Sequence, residues 1–171
     1  MRKEVSQIFK VIRNVIIKEL VGYMEQGVYP VESIQGKPPY PYLTYNILAV
    51  EINPDKDPYR HDKQVDGKLI RCYQDMPEFT MSFNSYSDKS KMDAIELAHK
   101  MRDFFAVYGY EPLDDADIVV VEIMPISDRT VYLQENYEFR VGFDVRFRWH
   151  RTRERELNTI ETFEMKGELN G

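Results

Sequence analysis

The sequence predicts an α+β protein, with a mostly antiparallel β-sheet packed against two amphipathic helices in the order α-β-β-β-α-β-β-β. In Phe139–Trp149 large apolar residues alternate with polar or small ones, which is the period of a β-strand. Two other segments, 3–24 and 90–109, repeat apolar residues every three or four positions, as one face of a helix does. These observations predict a sheet with one face on the core and helices covering it.

The first helix is predicted from Lys3 to Met24. Its apolar stripe consists of Val5, Ile8, Phe9, Ile12, Ile16 and Leu20. Gly22 and Gly27 loosen its end. The four prolines between residues 30 and 41 then require an extended connector, because proline fixes φ and lacks an amide donor.

Three strands are predicted next. Residues Tyr42–Ile52 are rich in β-formers and predict the first. The polar segment 53–67 is interpreted as an exposed loop or hairpin tip. Lys68–Tyr73 and Glu78–Tyr86 predict two further strands, and the inward side chains of the last are Phe79, Met81 and Phe83.

A second helix begins at Ser90, which with Asp93 resembles a capping box. Its apolar residues continue at helical spacing to Gly109, which we interpret as the C′ residue. The stripe contains Ala94, Leu97, Ala98, Met101 and Phe105.

The remaining strands are predicted at Asp117–Met124, at Thr130–Leu133 and at Phe139–Trp149. The Ile and Val run of the first favours a central position in the sheet, and Pro125 ends it. Thr130–Leu133 is interpreted as a short edge strand. The last strand presents Arg140, Asp144, Arg146 and Arg148 opposite its apolar side.

Composition favours one globular domain. The chain has 171 residues, of which 43% are hydrophobic and 30% charged. We expect residues 1–150 to form a single α+β domain and residues 151–171 a charged tail, mobile alone or ordered on assembly. The early charges do not fit a signal peptide, and no segment reaches the roughly 18 to 20 apolar residues of a membrane span. No contact with a membrane is expected.

Motifs for enzymatic chemistry are missing from the sequence. His61, His99 and His150 are too far apart for a local metal motif, and no phosphate loop or nucleophile elbow occurs. Cys72 is the only cysteine, which excludes an intramolecular disulfide and favours a packed thiol. We therefore expect no catalytic residue, no cofactor and no bound metal.

Two acidic clusters are candidate metal sites. They are Asp55, Asp57, Asp62 and Asp66, and Asp114, Asp115 and Asp117. Carboxylates of this kind can hold Ca²⁺ or Mg²⁺, but the EF-hand spacing is absent. Solvated loops are the preferred interpretation, and a hydrolase or nuclease built on these residues is the third alternative for function.

An arginine cluster follows the last strand. Its members are Arg146, Arg148, Arg151, Arg153 and Arg155. They could meet phosphate or nucleic acid, but the interleaved Glu154 and Glu156 favour salt bridges or interface packing. The net charge of -6 also argues against general nucleic-acid binding.

Three segments carry a resemblance to a known family. They are the Pro-Tyr-Pro-Tyr entry Pro39–Tyr42, the segment Phe79–Phe83, and Tyr137–Val145, whose Tyr-Glu-x-Arg-x-Gly-Phe-Asp-Val run is the most specific. Over about Val5 to Trp149 the chain resembles the tail terminator and neck proteins of long-tailed bacteriophages. The resemblance implies a small α+β subunit that assembles as a ring, commonly a hexamer. Such a ring caps the last tail-tube ring and docks the tail to the head connector, without catalysis.

The resemblance sets the expected partners. These are other copies of the chain, the tail-tube protein and the head-completion or connector protein, while DNA passes through the lumen without specific binding. The expected location is the tail or neck of the virion, after assembly in the host cytoplasm. We expect the segment 53–67 and the tail from Arg151 to contact neighbouring subunits or the tail and head partners. The candidate interface residues are Asp55, Asp57, Arg60, Asp62, Arg140, Arg146, Arg148, Arg151 and Arg153.

A different class of function stays open. A monomeric or dimeric binding or regulatory module could use the same sheet face without forming a ring. The mass of the protein in solution, with and without tail-tube protein, separates the two.

Overall fold

The computed structural model describes residues 2–33, 36, 38–52, 57–133 and 136–157. The chain divides into two compact units. The first comprises Met1–Pro54 and Met76–His150, and the second comprises Asp55–Asp75 and Arg151–Gly171. Because each unit draws on two separate stretches of the chain, the division differs from the expected domain 1–150 with a separate tail.

The helical elements are α1 (Arg2–Met24), a 3₁₀ turn (Val31–Ser33), α2 (Lys91–Asp103), a π-helical turn (Phe104–Tyr108) and α3 (Tyr110–Asp114). The strands are β1 (Val28–Pro30), β2 (Tyr42–Ile52), β3 (Tyr59–Val65), β4 (Lys68–Asp75), β5 (Glu78–Ser87), β6 (Ile118–Ile123), β7 (Ser127–Asp128), β8 (Val131–Leu133), β9 (Asn136–Trp149) and β10 (Arg151–Leu157). None of these helices is long and apolar enough to cross a membrane.

The first unit contains the larger sheet. Its strand order is β1-β2-β5-β9-β6, and β7 and β8 also pair with β9. All described pairings are antiparallel except that of β1 with β2, which is parallel. The predicted α+β class with a mostly antiparallel sheet is confirmed.

The core lies on one face of this sheet. The inward side chains of β5 and β9 are fully buried and include Phe79, Phe83, Phe143 and Phe147. They belong to one apolar cluster with the helix residues Ile12, Ile16, Leu20, Met101, Phe104 and Phe105. The predicted helix 3–24 and the predicted apolar side of the last strand are thereby confirmed, since their period places these residues on one face.

The end of the second helix differs from the prediction. Its start is as expected, because the Ser90 Oγ accepts a hydrogen bond from the Asp93 amide at 3.1 Å. Gly109, however, has a φ of -86°, so it is not a left-handed C′ residue. Instead the chain continues through the π-helical turn into α3. Glycine leaves room for a ring there, because a Cβ at 109 would lie 2.7 Å from the Phe104 ring.

The central position predicted for the Ile and Val run is wrong. β6 is the last strand in the sheet order and pairs with β9 alone among the described strands. Ile118 is buried while Val119 is exposed, so the run packs against the core on one side only. β9 is the interior strand beside it, and its length lets it pair with β5 on one side and with β6, β7 and β8 on the other.

The second unit contains a small sheet with the order β10-β4-β3. Asp66 and Gly67 connect β3 to β4 with φ values of 50° and 77°, as in a two-residue type I′ hairpin. Residues 59–65, expected to lie in a loop or hairpin tip, therefore form a strand, while residues 53–56 lie outside the described residues. Residues 151–157, expected to begin a mobile tail, form β10 along β4; residues 158–171 lie outside the described part of the chain.

Candidate assembly surfaces

The polar face of the large sheet is organised around Arg129. This side chain follows β7 and donates hydrogen bonds to the Ser82 Oγ at 2.7 Å, the Asn84 Oδ1 at 2.9 Å and the Asp144 Oδ1 at 2.9 Å. Ser82 and Asn84 are buried, and the Arg129 and Asp144 side chains are about a quarter exposed. The charge of Arg129 is thus matched by one carboxylate and held by neutral acceptors.

The Arg-x-Gly-x-Asp part of the motif lies within this network. Arg140, Gly142 and Asp144 stand opposite Tyr86, Asn84 and Ser82 in the register of β9 and β5. The Arg140 guanidinium donates to the Asn84 Oδ1 at 3.3 Å and lies over the Tyr86 ring at 5.5 Å from its centroid. The motif therefore holds together the polar side of the sheet.

Two segments of the resemblance also meet. The Tyr40 hydroxyl, in the Pro-Tyr-Pro-Tyr entry, donates a 2.8 Å hydrogen bond to the Glu138 carboxylate, 98 residues later in the chain. Tyr42, which starts β2, stacks on Tyr86 with ring centroids 4.5 Å apart. These contacts give the entry segment a structural role beside β9.

Arg146 and Arg148 are paired within the chain. Arg148 donates to the Glu78 Oε1 at 2.6 Å and 3.1 Å. Arg146 lies 2.7 Å from the Glu122 carboxylate and 3.5 Å from that of Glu78. The Glu78 side chain is only 10% exposed, so these arginines offset a largely desolvated carboxylate between β5, β6 and β9.

Arg151 and Arg153 meet at Asp75 in the small sheet. The Arg151 Nε donates to the Asp75 Oδ1 at 2.8 Å in a two-pronged contact, and the Arg153 Nη2 donates to the Asp75 Oδ2 at 3.0 Å. The Asp75 side chain is fully buried. A buried carboxylate requires such pairing, because burial removes its hydration.

The other predicted acids of this unit are also paired where the structure describes them. Arg71 donates to both Asp62 carboxylate oxygens at 2.7 Å and 2.8 Å, which lowers the pKa of Asp62 and raises the pKa of Arg71. Arg60 donates to Asp57 at 2.9 Å, and both side chains are exposed. Asp55 lies outside the described residues.

The structure divides the described predicted site residues between the two sheets. Arg140, Arg146 and Arg148 lie on the large sheet, Arg60, Asp62, Arg151 and Arg153 lie on the small sheet, and Asp57 lies just before β3. Three of their partners, Arg129, Glu78 and Asp75, were not predicted, because each reaches its partner across strands far apart in sequence. The local sequence around these three residues carries no signal for the contacts.

The acidic clusters show no convergence on a metal. Among the described side chains, no three of His, Cys, Asp or Glu lie together in a way that could hold an ion. Cys72 is buried, and its thiol lies 3.8 Å from a Glu154 carboxylate oxygen. It packs within the small sheet.

Comparison with known proteins agrees with the resemblance. No curated protein matches the chain. The family model described as phage neck terminator protein matches residues 6–171, which is nearly the whole chain. That match covers both units and includes the Arg-x-Gly-x-Asp network on β9. The chain therefore belongs to the phage neck terminator protein family.

Proposed function

We propose that this chain assembles into a closed ring that caps the completed tail tube and joins it to the head connector. Membership of the family gives the protein a structural role in the phage tail and neck. Our proposal adds that the chain forms a ring, contacts the tail tube and contacts the head connector. The hexameric state follows the resemblance described above.

The composition of the small sheet is the observation that carries the proposal. Among the described residues of its unit, Cys72 and Asp75 are the only buried ones. A three-stranded sheet needs a covered apolar face for independent stability, and exposed ion pairs each add little. An ordered sheet with so little core is typical of a surface that another subunit covers.

Ring formation needs a contact between two different surfaces of the chain. Such a head-to-tail contact closes into a ring when the rotation between neighbours divides a full turn. The net charge of -6 suits the passage of DNA, because an acidic lumen repels phosphates and prevents sticking. These properties support a neck ring over a binding module that acts alone.

Electron microscopy of phage particles made without this chain tests the termination step. We expect overlong tails or tails without heads, because no ring would stop tube growth or engage the connector. Normal virions would refute the proposal.

Solution mass tests the ring itself. Purified chain mixed with tail-tube protein is expected to give a discrete complex whose mass contains several copies of the chain. A constant monomer or dimer under both conditions would favour the regulatory module.

A further inference from the structure

One face of the small sheet is rich in arginine. Residues that pair directly across antiparallel strands share a face. In the register of β4, Arg60 and Arg153 flank Tyr73, and Arg155 lies opposite Arg71. This basic face therefore consists of Arg60, Arg71, Arg153 and Arg155, together with Arg151, whose side chain is only 10% exposed.

Its positive charge is only partly offset within the chain. Among the ion pairs that the structure describes, Asp57 binds Arg60, Asp62 binds Arg71, and Asp75 binds both Arg151 and Arg153. Arg155 is exposed and forms no ion pair with any side chain that the structure describes.

The opposite face of the same sheet is balanced. Lys63 binds Glu154 at 2.6 Å, and Lys68 binds Glu156 at 3.2 Å. The surplus of positive charge is thus confined to one face.

The first unit carries a complementary acidic patch. From Asp103 to Asp128 the sequence contains seven carboxylates and no lysine or arginine. Two of these are used internally, since Glu122 binds Arg146 and Asp128 binds Lys91. The acidic patch consists of four others, which are exposed and form no ion pair within the described part of the chain: Glu111, Asp114, Asp115 and Asp117.

Exposed apolar side chains adjoin the acidic patch. Val107, Tyr108 and Tyr110 are each more than 60% exposed, and all three lie in or beside the π-helical turn that leads into α3. Exposed tyrosines beside charged residues are typical of protein interfaces, because an aromatic ring buries much area and its hydroxyl stays hydrated.

We propose that the basic face docks on the acidic patch of a second copy of this chain, and that this contact links neighbours around the ring. The inference rests on the ring assembly proposed above. The two surfaces differ, so the contact is head-to-tail and repeats from copy to copy. Opposite charge aligns the partners and disfavours other registers. Duplex DNA is the competing occupant of the basic face, and the net charge of the chain disfavours it.

Charge reversal on each surface tests the contact in the full chain. The arm variant, which reverses charge on the basic face, carries Arg60→Glu and Arg155→Glu. The patch variant carries Asp114→Lys and Asp115→Lys. A swap variant combines all four changes. The charge-matched control carries Lys10→Glu and Lys18→Glu on α1, where both side chains are exposed.

The readout is the yield of virions from a phage that lacks its own copy of the gene, grown in cells that supply the variants. The arm variant alone and the patch variant alone each place like charges at every contact, so we expect each to weaken association by about tenfold or more per contact and to lose the virions. The swap variant restores attraction at every contact and is expected to restore the yield.

The two single-surface variants supplied together give the sharpest result. The reversed basic face of the arm variant attracts the reversed acidic patch of the patch variant. At the next contact, the unchanged basic face of the patch variant attracts the unchanged acidic patch of the arm variant. A ring with an even number of subunits can therefore alternate the two variants and recover. A contact within one chain would not recover, because like charges would still meet inside each molecule.

Three outcomes would overturn the inference. The first is that neither the swap variant nor the mixture recovers, although thermal melting shows folded protein. The second is that the control loses virions as fully as the arm variant does. The third is that the arm variant loses affinity for a short DNA duplex while virion yield is unchanged.

A graded response separates charge from folding. The neutral variant with Arg60→Gln and Arg155→Gln is expected to reduce the yield less than the arm variant does. Equal losses would contradict the charge mechanism.

Failure of this contact and failure of the proposed neck function are distinguishable. Overlong or headless tails in the complete absence of the chain would still support the neck function.

Discussion

Gly142 lies directly opposite Asn84 across β9 and β5, so close that a Cβ at position 142 would stand 2.4 Å from the Asn84 Oδ1 and 2.5 Å from the Phe83 carbonyl oxygen. The absence of a side chain at Gly142 lets the Asn84 amide lie over the backbone and accept hydrogen bonds from Arg129 and Arg140. The glycine of the Arg-x-Gly-x-Asp motif is therefore required by a close approach.

Gly142→Ala is expected to destabilise the protein by about 1–3 kcal/mol, because the Phe83 carbonyl belongs to the backbone and cannot move aside freely. Urea unfolding measures the change. Gly22→Ala is the matched control, since a Cβ there meets nothing within 4 Å and lies inside α1. It should stabilise by up to about 1 kcal/mol. Equal effects at both positions would contradict the close approach.

Arg129→Met is expected to lower the free energy of unfolding by about 2 kcal/mol. The substitution keeps the apolar stem but leaves Asp144 without its cation and removes a donor from Ser82 and Asn84. Thermal unfolding of Arg129→Met and Arg129→Lys together is the measurement. Lysine should recover part of the loss, and a full recovery would show that the fork of the guanidinium is not needed.

Asp75→Asn is expected to loosen the small sheet by about 2–3 kcal/mol, because it removes the buried carboxylate that binds both Arg151 and Arg153. Hydrogen exchange of the β4 and β10 amides reports the change locally. Glu156→Gln breaks the exposed pair with Lys68 and should cost less than about 0.5 kcal/mol. Unchanged exchange in Asp75→Asn would show that the paired arginines do not hold β10 in place.

Asp128 should make stability depend on pH at the acid end. Hydrogen bonds from Lys91 and Thr130 lower the pKa of its carboxyl from the ordinary 3.8 to about 2. Because the folded pKa is depressed, the stabilisation is fully present above about pH 4 and is lost as the pH falls toward 2. Melting temperatures of the protein and of Asp128→Asn, measured from pH 5 to pH 2, should converge at the acid end. A constant difference would contradict the assignment.

Several parts of the fold could be predicted because a local pattern determines them. α1 and β9 each repeat apolar residues with their own period over many positions, and β2 is rich in β-branched and aromatic residues. The Ser90 cap needs only a side-chain oxygen three residues before a free amide. Such features depend on neighbours in sequence.

β3 and β10 could not be predicted in this way. Both carry charged residues on each face, so no apolar period marks them. Their strand conformation depends on pairing with β4, and for β10 that pairing joins residues as far apart as Asp75 and Arg151, which are 76 positions apart. The place of β6 at the edge was missed for the same reason, since strand order is a property of the whole sheet.

The sequence by itself determined the fold class, the long two-faced strand and the family, because each depends on residue types at short spacing. The tertiary structure alone decided what the charged residues do. It joined Arg129 to Ser82, Asn84 and Asp144, buried Asp75 under two arginines, and gathered the basic face from strands at distant positions in the chain. The physical reason is that an ion pair is specified by distance in space, and strand pairing sets that distance only after the chain has folded.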